Sequence, residues 1–112
     1  MTINVVQTLD ASAAQSSTPA IRMNQYAVPF NVGFGIYTVG AGDATVRVEH
    51  TFDEQPSAAS KWFIHVDVSG VDISASAVVD GNYAYPVANV RMTLVAVSGA
   101  PVTVFRLLQT GV

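Results

Sequence analysis

Cysteine is absent from the 112 residues, so neither a disulfide framework nor a thiolate metal site is available, and zinc-finger and thiol-enzyme chemistry are closed. Charge is scarce too. Charged side chains make up 12% of the chain against about 25% in an ordinary globular protein. The five basic residues, Arg22, Arg47, Lys61, Arg91 and Arg106, are dispersed and outnumbered by eight acidic ones, for a net charge of -3. A phosphate backbone is bound by a clustered positive field, so nucleic acid is not an expected ligand. No apolar run approaches the roughly 20 residues that cross a bilayer, and neither a basic n-region nor an h-region opens the sequence, so synthesis in the cytosol is expected. Gly-x-Gly-x-x-Gly, P-loop, Gly-x-Ser-x-Gly and heptad patterns are all missing.

What remains is apolar and β-prone. Apolar residues reach 50% and valine alone supplies 19 positions, a composition that suits pleated, half-buried surfaces better than helices. Residues 2 to 9 alternate, with Ile3, Val5 and Leu9 in phase, and Asp10 to Pro19 then breaks the pattern with small polar residues. From Phe30 the alternation is clean: Phe30, Val32, Phe34 and Ile36 face one way, Asn31, Gly33, Gly35 and Tyr37 the other, and the two outer-face glycines predict a bulge or a close approach. Gly40-Ala-Gly-Asp43 reads as a turn into Thr45 to Phe52, where Val46, Val48, His50 and Phe52 share the apolar phase, so a hairpin is expected. Trp62 to Ser69 follows, with Trp62, Ile64, Val66 and Val68 inward and Phe63, His65 and Asp67 outward, and with Trp62 in the core. Asp80-Gly-Asn82 reads as a turn before Tyr83 and Tyr85, and Val87 to Val97 and Val102 to Gln109 as a second hairpin through Ser98-Gly-Ala-Pro101. The pattern predicts an all-β domain, a β-sandwich or jelly roll of seven to eight short antiparallel strands over residues 20–112. Residues 1–19 are expected to form a β-prone arm on a flexible tether.

Candidate chemistry is thin. His50 and His65, with Glu49, Asp53 and Asp67, are the one set from which a metal site or a general-base pair can be drawn, but their spacing is unspecific and their strand phases are opposite. Structural histidines are the expectation, with no catalytic, metal-binding or cofactor-binding residue and no cofactor. Asp53, Glu54, Asp67, Asp72 and Asp80 lack the alternation of an EF-hand and read as solvated carboxylates. The contact residues expected are Tyr83 and Tyr85 beside their turn, and Ile3, Val5, Val6 and Leu9 on an arm able to add to a sheet edge of its own chain or a neighbour's.

Four stretches carry a resemblance: Val46-Arg-Val-Glu49, Trp62-Phe-Ile-His-Val66, Tyr85-Pro-Val-Ala-Asn-Val-Arg91 and the Val/Thr-rich Val102 to Gly111 ending in Gln-x-Gly. In these the chain resembles small β-sandwich virion proteins of tailed bacteriophages, over about its last 60%. The resemblance implies a non-enzymatic capsid decoration, or cement, protein located in the virion. Its partners would be major capsid subunits and further copies of itself, as a dimer or trimer, with no nucleic acid or membrane. The alternative is a carbohydrate-binding β-sandwich module that stacks sugars on Tyr83, Tyr85 and Trp62.

Overall fold

The computed structural model describes residues 2–10, 17–65, 73–74, 79–99 and 101–110. Nine strands lie among them: β1 Thr2–Asp10, β2 Ile21–Arg22, β3 Val32–Val39, β4 Gly42–Thr51, β5 Phe63–Ile64, β6 Ile73–Ser74, β7 Val79–Tyr83, β8 Asn89–Gly99 and β9 Val102–Thr110. They form two antiparallel sheets, β1-β9-β3-β7 and β2-β8-β4-β5, with β6 on β4. The inner faces close on one core: Val32, Phe34, Ile36, Tyr83, Phe105 and Leu107 from the first sheet meet Val46, Val48, Val90 and Met92 from the second. This is the expected sandwich, and the alternation of Phe30, Val32, Phe34 and Ile36 is what buries that face of β3. Each such side chain gains about 1.5–3 kcal/mol from leaving water.

Neither expected hairpin forms. β3 pairs with β9 from Val32↔Gln109 to Val39↔Val102, while β4 pairs with β8 from Gly42↔Gly99 to Thr51↔Asn89. The two glycine-bearing links therefore carry two segments of the chain from one sheet to the other instead of folding a strand back on itself. Gly42 has φ +119° and a Cβ there would meet the Ser98 carbonyl at 2.1 Å; Gly99 has φ +79°. Glycine is required at both places by backbone shape and by close approach.

Other expectations are corrected by the ladders. Asp80-Gly-Asn82 is extended within β7, because Gly33, Phe34 and Gly35 of β3 pair with Asn82, Gly81 and Asp80. Phe52, expected inside, is 55% exposed, since β4 ends at Thr51 and the in-out phase ends with it. The Trp62 segment pairs with β4 only at Phe63 and Ile64, and Val66 to Ser69 lie outside the described residues. At Gly33 and Gly35 no bulge occurs in the pairing with β7 and β9, and neither glycine is crowded.

The segment set apart in sequence as an arm pairs with its own chain, over nine antiparallel residue pairs from Thr2↔Thr110 to Asp10↔Val102. Leu9 is sealed in the core, and Ile3 and Val5 pack against it. Residues 11–16 of the expected tether lie outside the described residues.

Candidate interaction surface

The two histidines meet. His50 enters from β4 and His65 from the residue after β5, with ring centroids 6.2 Å apart. Both are buried, so His65 is not on the outward phase the alternation implied; pairing in β5 stops at Ile64, and the chain turns its next side chain inward. His65 Nε2 donates to the carbonyl of Asn82 at 2.6 Å. A carbonyl only accepts, so in the neutral ring Nδ1 is the acceptor, and the Tyr85 hydroxyl 3.3 Å away donates to it. His50 Nδ1 is 3.1 Å from the Tyr83 hydroxyl. Burial first, and then the neighbouring charge of His65, lower the His50 pKa from 6.5 to about 4. Its imidazole is therefore neutral at physiological pH and works as a hydrogen-bonding core group. Among the described residues no three His, Asp or Glu side chains converge as metal ligands.

This cluster absorbs residues that the sequence assigned to the surface. Tyr83 is fully buried, its ring stacked on His65 with centroids 3.8 Å apart, and Tyr85 packs partly buried against the core. Tyr83 thus presents no contact surface, and neither does Leu9. Tyr83 sits inward because β7 places it opposite Val32, a core position. Trp62 is half-covered, with the Arg91 guanidinium 4.0 Å over its ring and Arg91 Nε donating to buried Glu49 at 2.8 Å. A sugar-stacking platform made of Tyr83, Tyr85 and Trp62 is not displayed.

The exposed aromatics lie elsewhere, at the end of the sandwich where loops 23–31, 52–62 and 84–88 gather. Gln109 of β9, itself buried, takes the backbone N–H of Asn24 at 2.8 Å and donates to the Asn24 carbonyl at 3.0 Å. Asn24 in turn accepts from the N–H of Tyr26 through its side chain and from that of Ala27 through its carbonyl. This anchored turn projects Tyr26, 77% exposed, and Val28, 80% exposed, into solvent. Glu54 accepts from the Tyr26 hydroxyl at 3.2 Å and from the Gln25 amide, so the ring has a fixed edge.

Beside it, Phe52 and Phe63 lie with ring centroids 5.5 Å apart, and both rest on the buried His50, at 5.4 and 5.8 Å. Asn89 donates to the Asp53 carbonyl at 2.8 Å and holds this loop to β8. A hollow of about 200 Å³ opens between Gln25, Tyr26, Phe52, Pro86, Val87 and Ala88. Aromatic rings half out of water and backed by a rigid core are the usual anchors of protein interfaces.

Sequence reasoning missed this surface because Phe52 obeys the inward phase and Tyr26 belongs to no strand. The available signal was Tyr26-Ala-Val-Pro-Phe30, an apolar run in a segment with no alternation to bury it. Of the six contact residues expected from sequence, only Val6, 54% exposed on the outer face of β1, is openly displayed. No family model matches the chain, and neither curated proteins nor solved structures yield a significant match.

Proposed function

We propose that the chain is a non-enzymatic structural protein of a tailed-phage virion. In this reading it is a capsid decoration subunit that seats its aromatic end on the shell and stabilises contacts between major capsid subunits. The observation that carries this reading is the set of exposed apolar side chains Tyr26, Val28, Phe52 and Phe63, the first three on loops 23–31 and 52–62 and the last on β5, on a domain that carries few charges. Permanent interfaces combine these features, with apolar anchors at the centre and charge depleted around them. His50 Nδ1 and both nitrogens of His65 are hydrogen-bonded to Tyr83, Tyr85 and the Asn82 carbonyl, which suits a scaffold. The sequence likeness in Val46 to Glu49, Trp62 to Val66, Tyr85 to Arg91 and Val102 to Gly111 supports the same reading.

Purified chain added to intact particles from the strain that carries its gene should pellet with them to a saturable level. Phe52→Ser and Tyr26→Ser should each lower the bound fraction at least tenfold while the far-ultraviolet spectrum stays that of the parent. Wild-type binding by both variants would move the contact away from this end. No pelleting of any form would count against decoration.

A further inference from the structure

The outer face of the β1-β9-β3-β7 sheet carries a trough of about 390 Å³ lined by Asn4, Gly33, Gly35, Asp80, Arg106 and Leu108, among others. A second hollow continues it over Asn31 and Asn82. Its floor is bare backbone. Neither Gly33 nor Gly35 has a positive φ, a Cβ at Gly33 would meet nothing within 4 Å, and one at Gly35 would meet only the Val79 carbonyl at 4.0 Å. The fold therefore does not require glycine at either place, and glycine inside a strand costs roughly 0.5–1 kcal/mol. Glycine in a strand interior often marks a bulge, a tight bend or the close approach of a ligand or another backbone; no bulge occurs at Gly33 or Gly35, and among the described residues nothing approaches.

The registers show what lies on either side. Gly35 is paired with Arg106 on β9 and with Asp80 on β7; Gly33 is paired with Leu108 and Asn82. Arg106 and Asp80 thus stand one strand to each side of the same glycine, both exposed. Among the described residues neither side chain makes an ion pair or hydrogen bond.

We propose that a second copy of this chain occupies the trough, its own β1-β9-β3-β7 face packed against the first across a two-fold axis lying along β3. Rotation about that axis exchanges left and right. Arg106 of each copy then stands over Asp80 of the other, giving two equivalent ion pairs, and each Leu108 stands over an Asn82. The glycine rows let the sheets approach where these pairs form, and Tyr37, two residues beyond Gly35, meets its counterpart near the axis. Packing of this kind keeps strand directions within about 30°, and an interface in which one patch pairs with itself is the usual route to a closed dimer. Across this axis β9, β3 and β7 overlap while β1 lies outside the contact; three strands about 4.8 Å apart, over six residues of about 3.3 Å, cover roughly 300 Å². That area is below that of an ordinary specific contact, so association should be weak and reversible. The inference does not rest on the virion reading.

Sedimentation of the full chain across a wide concentration range is the test. The wild type should pass from monomer to dimer as concentration rises. Arg106→Asp and Asp80→Arg should each weaken association at least tenfold, because like charges then face one another. Mixed in equal amounts, these two variants should recover a heterodimer in which both pairs are opposite again. Gly33→Lys, which places a side chain in open space, should stay monomeric with an unchanged far-ultraviolet spectrum. A wild type that remains monomeric throughout, a dimer that survives Gly33→Lys, or a mixture that stays monomeric would each overturn the proposal.

Discussion

The ring of His65 lies on that of Tyr83, centroids 3.8 Å apart and planes 30° from parallel. This contact joins the short strand β5 to β7 through the core. The Tyr83 hydroxyl continues the link to His50 on β4, so one side chain ties both sheets together. Tyr83→Phe keeps the ring and removes the hydrogen bond, and should lower unfolding free energy by about 1–2 kcal/mol. Tyr83→Ala should cost about 3–5 kcal/mol through the cavity it leaves. Urea denaturation checks both, and a Tyr83→Ala protein as stable as its parent would show that the stack is not structural.

Acid should act through His50, whose pKa falls from 6.5 to about 4 on folding. Between those values the unfolded chain binds more protons than the folded one, so stability rises with pH across this window. The contribution is complete above about pH 6.5, is lost as pH falls, and levels off below about pH 4. Its full size is at most about 3 kcal/mol. Carboxylates titrate nearby, so the measurement is the difference in slope between wild type and His50→Phe from pH 7 to 4. Equal slopes would remove His50 as the cause.

Gln109 holds the aromatic loop through two hydrogen bonds to the Asn24 backbone while itself buried. Gln109→Leu leaves both backbone groups without those partners and should cost about 2 kcal/mol. Amide exchange at Asn24 should quicken more than at β4 residues such as Val48. Uniform change across the domain would mean that Gln109 supports the fold generally and not this loop.

Arg91 covers Trp62 and neutralises buried Glu49, which also accepts from the Thr93 hydroxyl at 2.6 Å. Arg91→Ala uncovers the indole, so Trp62 emission should move to longer wavelength, with a loss of about 1–2 kcal/mol. An unshifted spectrum would show that the guanidinium does not shield the ring.

How far the sequence can be read depends on which forces decide each element. The alternation of Phe30 to Ile36 announces a half-buried strand because a two-residue period matches the pleat and cannot form one face of a helix. The hairpins do not form because glycine turns mark where a chain bends, not which sheet it bends into; that choice is made by pairing of β3 with β9 and β4 with β8, across sequence distance. Tyr83 and Tyr85 read as surface residues only if Asp80-Gly-Asn82 is a turn, and one ladder with β3 reverses that expectation. The meeting of His50 with His65 is equally non-local. Val6, an expected contact residue, is exposed, whereas Leu9, on the other face of the same strand, is sealed in the core.

Membership of a particle is the central claim, and protein composition of density-banded virions from the strain that carries the gene tests it most directly. The account predicts peptides of this chain in the band, in a simple fixed ratio to the major capsid subunit, and their loss with weakened particles when the gene is deleted. Banded particles that lack the chain, with the protein found only in the soluble lysate, would contradict it.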